Sequence, residues 1–403
     1  MSLLDLNDDV LLSIFSHLYG DNALNVALTC SKAYQLAIPR VAAVVECQTS
    51  DQLQRLHAYL CGHGSRLRYV ESLEIASSVF WPPNHAQDVD FRSHIHGDFF
   101  HALRVGDMLI GAERLRRLCL PRLLPLIRTD PRILPAVLSL NNLSFIALDT
   151  VGDSCITALR AAPFRNLRML WLSYHNDSVG FGMPIDGEPI TSPPLLRLLS
   201  TFPHLQSFKL QFFAPTRVAA STPDGKVFPV APCFSSIHEL RLYDVASTAF
   251  DLIAMCPKLS TLDLGLRGGR YTVPYPAHVR WPSLRQLRVK GQNELICAAN
   301  LLSSVHHLEV VNFVTIGQMS SSPGRVCPDQ LLDALRQTSP VSARLWVVAC
   351  YKPGSFWPQV TKAAPRLRVL RLHISKALHM HMPNFGSWLV RSTFTAPKRI
   401  SRC

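Results

Sequence analysis

One pattern returns along most of this chain: an apolar residue, two variable ones, an apolar residue, one variable, and a third apolar residue. From residue 67 onward its copies are Val70-Leu73-Ile75, Leu115-Leu118-Leu120, Leu143-Ile146-Leu148, Leu167-Leu170-Leu172, Leu205-Phe208-Leu210, Ile237-Leu240-Leu242, Leu259-Leu262-Leu264, Leu284-Leu287-Val289, Val305-Leu308-Val310 and Leu367-Leu370-Leu372. A degenerate copy, Leu345-Val347, precedes the last. First positions up to Val305 are spaced by 45, 28, 24, 38, 32, 22, 25 and 21 residues. Each copy predicts a short strand whose leucines face inward while the residues between them face out. One such strand cannot bury its apolar edge alone, so neighbouring copies must stack.

Between the strands, Ser154–Ala162, Leu195–Phe202, Ala249–Cys256 and Gln330–Gln337 carry apolar residues at helical spacing and read as return helices. Pro203, Pro257, Pro282 and Pro365 each stand two residues before the next copy. Proline lacks the N–H a helix needs, so it ends one element and feeds an extended one. Several spacings fall within the roughly 20–29 residue period of leucine-rich repeats, which the pattern resembles. The asparagine usual in such repeats is mostly replaced, by Asp149, Tyr243, Gly265 and Lys290 among others, which implies an irregular solenoid. Loops at 77–89, 175–192, 213–232, 268–278 and 317–328 are rich in Pro, Gly and Ser and lack the repeat. Such loops carry function more often than scaffolds do.

The first forty residues are different. Val10, Leu11, Ile14, Phe15 and Leu18 form one helical stripe, preceded by Asp8 as N-cap and with Asp9 in the first turn. Gly20 and Asp21 break that helix, Leu24, Val26 and Leu28 begin a second, and Ser31 to Ile38 form a third that Pro39 ends. So short a module cannot hide its apolar surface and needs a partner. Leu6, Val10, Leu11, Ile14, Phe15, Leu18, Leu24, Leu28, Cys30 and Tyr34 match the order and spacing of the F-box, which this segment resembles. The continuation through Ala37, Ile38, Pro39, Arg40 and Val41 looks like the F-box proteins of fungi, and the uneven repeats resemble the degenerate leucine-rich repeats of such proteins. Asn7 stands where the family usually has Pro, and Tyr34 where it often has Trp.

The fold expected is therefore α/β: a three-helix F-box over 1–40, a linker and cap over 41–66, a leucine-rich-repeat solenoid of strand plus short helix per repeat over 67–375, and a tail over 376–403. Gln52, Leu53, Leu56 and Leu60 place a helix in the linker, capping the open end of the solenoid. The resemblance implies that Leu6, Val10, Leu11, Ile14, Phe15, Leu18, Leu24, Leu28 and Tyr34 bind a Skp-family adaptor, and through it cullin and RING subunits. The repeats would then hold a protein substrate for an SCF-type ubiquitin ligase. The outward positions place Trp171, Lys209, Arg241, Tyr243, Arg288, Lys290, Trp346 and Arg371 on the open face as substrate contacts, with Asp263 and Glu309 interrupting them. Aromatic and Arg anchors dominate interface energies, and the cationic excess favours an acidic or phosphorylated partner.

Composition removes other classes. The eleven cysteines form no Cys-x-x-Cys pair, so no zinc ribbon or redox motif follows. Acidic residues precede the first apolar helix in place of a basic leader, and no run of about eighteen apolar residues occurs. The expectation is a reduced compartment, cytoplasm or nucleus. A net charge of +13 raises nucleic acid as a partner, but the 41 Lys and Arg are dispersed. The alternative function is a basic repeat scaffold for nucleic acid or protein outside a ubiquitin ligase. His94, His96 and His101, with Asp90 and Asp98, could be drawn as a metal site or the centre of an unrecognised enzyme, but match no motif; His373, His379 and His381 are discounted likewise. Gly180 and Gly182 lack the context of a phosphate cradle. A non-catalytic chain without metal or cofactor is expected.

Overall fold

The computed structural model describes residues 6–18, 20–63, 66–80, 99–174, 192–213, 233–245, 247–266, 281–302, 304–316, 328–349 and 356–376. The chain divides into two compact units, Met1–Leu205 and Gln206–Cys403. The first opens with helices α1 (Asp8–Phe15), α2 (Gly20–Ala27) and α3 (Ser31–Val41). Strand β1 (Val44–Cys47), helix α4 (Ser50–Cys61), β2 (Ser72–Ile75), α5 (Ala102–Gly111), β3 (Arg117–Leu120), α6 (Leu123–Thr129), α7 (Ile133–Ser139), β4 (Phe145–Asp149), α8 (Asp153–Leu159), β5 (Met169–Ser173) and α9 (Ser192–Ser200) follow. Strands β1 to β5 pair in chain order, each parallel to the next.

The second unit holds β6 (Ser207–Gln211), β7 (Glu239–Val245), α10 (Asp251–Ala254), β8 (Thr261–Leu266), β9 (Leu284–Val289), α11 (Gln292–Leu301), β10 (Val305–Ile316), α12 (Pro328–Thr338), β11 (Ser342–Ala349), α13 (Phe356–Ala363) and β12 (Val369–Lys376). Strands β6 to β12 again pair parallel and in chain order. Parallel strands that each neighbour their successor require a return segment after every strand. This is the strand-and-return build of a leucine-rich repeat.

The register explains the leucines. In the first unit Leu73, Leu118, Ile146 and Leu170 lie side by side on successive strands. In the second, Leu240, Leu262, Leu287 and Leu308 do the same. Every one of these eight is at most 2% exposed. At about 1.5–3 kcal/mol for each fully buried aliphatic side chain, these rows are a large stabilising term. On β12 the row is only half-buried, at Leu370 and Leu372.

Two copies differ from the sequence reading. Val45 pairs with Leu73 and Cys47 with Ile75, so Ala42-Val45-Cys47 is a copy inside the segment read as a linker. All three are 4% exposed or less. Leu345 pairs with Leu372 and Ala343 with Leu370, so the degenerate copy is Pro340-Ala343-Leu345, two residues earlier than Leu345-Val347. Small residues fill positions where leucine marked the other copies. The described strands number twelve, one per copy.

The prolines act in turns. The N–H of Leu205 donates to the Phe202 carbonyl at 3.2 Å, that of Leu259 to Cys256 at 3.0 Å and that of Leu367 to Ala364 at 3.0 Å. Each is a β-turn with proline at its second position, where a fixed φ is an advantage. The same turn closes without proline at Ala112–Leu115, Phe164–Leu167 and Phe234–Ile237. Leu284, after Pro282, bonds Ser304 instead.

Helix ends also correct the reading. Asn7, not Asp8, is the N-cap of α1: its side-chain oxygen accepts the Asp9 N–H at 3.0 Å. Asp8 pairs instead with Lys32 of α3 at 3.1 Å. Helix α2 starts at Gly20, whose φ of +54° suits glycine. Pro39 lies inside α3, which runs to Val41 and is closed by the Ala42 N–H on Ile38 at 3.0 Å. So near its end a helix loses only one internal bond to proline. Thr49 and Gln52 form a reciprocal capping box on α4, with Leu53 and Leu60 buried.

One buried carboxylate ties the return helices of the first unit together. Asp130 is 2% exposed and receives the Arg132 guanidinium at 3.0 and 2.9 Å. Arg132 also reaches Asp107 of α5 at 3.0 Å, and Asp107 meets His57 of α4 at 3.2 Å. Hydrogen bonds from Arg132 outweigh burial and hold the Asp130 carboxyl below its usual range. A depressed folded-state pKa stabilises fully above the unfolded value, about 3.9, and is lost as pH falls through the folded value. The Asp130→Asn variant is expected to flatten the loss of stability between pH 6 and pH 3. Urea midpoints at the two pH values check this, and parallel pH profiles for variant and parent would refute it.

Candidate functional site

Two surfaces carry the residues singled out from sequence. The first is the helical module. Leu11 and Phe15 are at most 1% exposed and pack with Ala27 and Ala37, flanked by the partly buried Leu6, Leu18 and Tyr34. These residues hold the module together from inside. The Tyr34 hydroxyl accepts from Arg66 at 3.2 Å, and Arg66 lies over the Tyr59 ring at 4.1 Å, which anchors α3 to α4. Val10 and Ile14 remain 46% and 37% exposed on α1, and Leu24 and Leu28 40% and 72% exposed on and just after α2. Each pair is four residues apart, on one side of its helix. Leu12, which lies off the sequence stripe, is also open at 45%.

The second surface is the set of outward strand positions, and the two units differ. In the first, Trp171 meets Phe145 edge-on at 4.9 Å, and Arg117 lies over Phe145 at 4.1 Å while pairing with Glu74 at 3.6 Å. Phe145 is only 2% exposed although it points outward, because these neighbours cover it. Beside them burial pushes the Cys119 thiol up to about 11. This face has a covered aromatic centre, with Arg117 and Glu74 open beside it.

In the second unit the face is charged. Lys209, Arg241, Asp263, Arg288, Glu309, Arg344 and Arg371 are direct register partners from β6 to β12, one per strand. Asp263 and Glu309, which the sequence shows as interruptions, are ion partners: Arg288 reaches Asp263 at 3.7 Å and Glu309 at 3.8 Å, and Arg344 reaches Glu309 at 3.3 Å. Arg241 pairs with Glu239 of its own strand at 2.6 Å, and Lys290 with Asp244 at 3.4 Å. Tyr243 donates its hydroxyl to Asp263, and Lys209 lies 5.3 Å from the Tyr243 ring centre. Burial raises the Asp263 carboxyl against the opposing pull of Tyr243 and the arginines, and burial beside Asp263 raises the Tyr243 phenol. Trp346 stacks flat on His373 at 4.5 Å.

Arg344 and the pairing of Glu239 and Glu309 escaped sequence reasoning. The carboxylates stood in view but their partners lie up to 35 residues away. His101 sits at the start of α5 against Arg104. His94, His96, Asp90, Asp98, Gly180, Gly182, His379 and His381 lie outside the described residues. No group of three or more metal-ligating side chains occurs among the described residues, and no helix there is long and apolar enough to cross a membrane. The eight described cysteines are free thiols.

No family model matches the chain, and no curated protein matches it. Among solved structures it is similar to a crystal structure of a TLR13–ssRNA13 complex, at 13% identity and a TM-score of 0.37, over 79% of this chain and 38% of that one. The chain thus spans well under half of that protein. The repeat assignment rests on the strand register and the buried leucine rows described above.

Proposed function

We propose that the chain is the non-catalytic substrate receptor of a cullin–RING ubiquitin ligase. Its helical module docks a Skp-family adaptor, and its strand faces hold a protein substrate. The observation that carries the reading is the open apolar set Val10, Ile14, Leu24 and Leu28 on a module whose own core is already filled by Leu11 and Phe15. Apolar groups left outside a completed core favour a protein partner. The matching order of the F-box positions supports which partner that is. The chain itself makes no bond; it raises the effective concentration of substrate beside the ubiquitin-charged enzyme.

Affinity purification of the full chain followed by mass spectrometry tests this. Adaptor and cullin are expected in near-stoichiometric yield. Recovery of neither would overturn the reading. Stoichiometric nucleic acid without adaptor would replace it with a basic scaffold, the alternative to which the net charge of +13 lends support.

A further inference from the structure

The charged row of the second unit has a built arrangement. It carries five cations (Lys209, Arg241, Arg288, Arg344, Arg371) and two carboxylates (Asp263, Glu309), in register across seven strands. The side chains of Arg241, Arg288 and Arg344 are 38–45% exposed, whereas those of Asp263 and Glu309 are 11% and 19%. The carboxylates are therefore recessed, and the guanidiniums stand above them. Arg288 is braced from both sides and Arg344 from one. Such bracing holds long side chains in place, so less rotamer freedom remains to be lost when a partner arrives.

The spacing narrows the partner. Arg241, Arg288 and Arg344 occupy β7, β9 and β11, every second strand. Strands lie about 4.8 Å apart, so the backbone positions that carry these arginines repeat at roughly 9.6 Å, and their flexible side chains can adjust about that spacing. A polyproline II segment rises about 3.1 Å per residue with three residues per turn, so its side chains at i, i+3 and i+6 share a face and repeat at roughly 9.3 Å. We infer that the open face of β7–β11 receives an extended protein segment crossing the strands, with an anionic side chain at every third residue against Arg241, Arg288 and Arg344. This deepens the proposed substrate reading and rests on it. The shared chemistry is an anionic side chain, supplied by a carboxylate or a phosphate.

The test uses the full chain and fluorescent synthetic peptides read by anisotropy at about 50 mM salt. One peptide carries four Glu at every third position, a second has the same composition with the four Glu contiguous, and a third replaces the spaced Glu by phosphoserine. A single-stranded oligonucleotide of equal charge is the fourth probe. The spaced peptides are expected to bind at least tenfold tighter than the contiguous one. Whichever of Glu and phosphoserine binds tighter names the source. Arg288→Gln and Arg344→Gln should each weaken the spaced peptide about tenfold, and Lys362→Gln on α13 should leave it unchanged. Equal affinity for spaced and contiguous peptides, no binding of any peptide, or tighter binding of the oligonucleotide would overturn the inference. Adaptor capture depends on α1 and α2 and not on this row, so it reports separately on the function proposed above.

Discussion

Changing Ile14 and Leu28 to aspartate together is expected to abolish capture of the Skp-family adaptor while the repeats stay folded. Neither side chain belongs to the Leu11, Phe15, Ala27 and Ala37 core, and they stand at 37% and 72% exposure, so their replacement leaves that core in place. A hot-spot anchor at an interface core is worth about 2 kcal/mol or more, and a buried aspartate in its place adds a desolvation penalty. A loss of about 4 kcal/mol, close to a thousandfold in affinity, is the expected scale. Leu11→Ala and Phe15→Ala form the contrast. These groups lie inside the Ala27 and Ala37 cluster, and their truncation should destabilise the module itself by about 2–5 kcal/mol. Calorimetric titration with purified adaptor and thermal melts of each variant separate the two effects. Undiminished adaptor affinity in the aspartate pair would sink the docking proposal. A melting transition as low as that of Phe15→Ala would show that the pair reports on folding instead.

The second large effect is expected in the leucine rows. Leu262 of β8 is fully buried, with Leu240 and Leu287 as register neighbours on either side. Leu262→Ala removes packing against two repeats at once and should cost about 2–5 kcal/mol. Leu262→Asp adds an unpaired charge in the same place and is expected to prevent accumulation of folded protein. Val369→Ala on β12, at 46% exposure, should shift stability by less than about 0.5 kcal/mol. Urea unfolding followed by circular dichroism decides between them. Similar midpoints for Leu262→Ala and Val369→Ala would mean that the rows do not carry the fold.

How far the sequence could be read depended on side-chain size. Copies such as Leu259-Leu262-Leu264 declare themselves because leucine marks every inward position. Ala42-Val45-Cys47 and Pro340-Ala343-Leu345 occupy the same places in the sheet, but small residues satisfy the geometry without announcing it. The return helices show the same limit. Helices α6 and α7 each carry a proline in the first turn, Pro125 and Pro135, so in a leucine-rich stretch they do not declare themselves as helices. On the open face, the pattern gave the direction of Arg241 and Arg288 but no hint of their partners. Parallel pairing brings together residues a whole repeat apart, as with Arg344 and Glu309, and no local spacing encodes that. In the helical module the stripe identified an apolar set, yet could not divide it. Only packing shows that Leu11 turns inward while Ile14, three residues later, stays open.

The β-turn that recurs before several of the strands, such as those closed at Ala112–Leu115, Phe234–Ile237 and Cys256–Leu259, has a consequence for how such a chain can change over time. It sets where those strands begin, independently of what came before. The distance from one copy to the next is 22 residues between Ile237 and Leu259 but 45 between Val70 and Leu115, and both pairs of strands still meet in the same frame. Doubling a connection costs only about 0.6 kcal/mol in closure entropy. Insertions between repeats are therefore nearly neutral to the sheet, and the lineage can vary its loops freely while the leucine rows stay aligned.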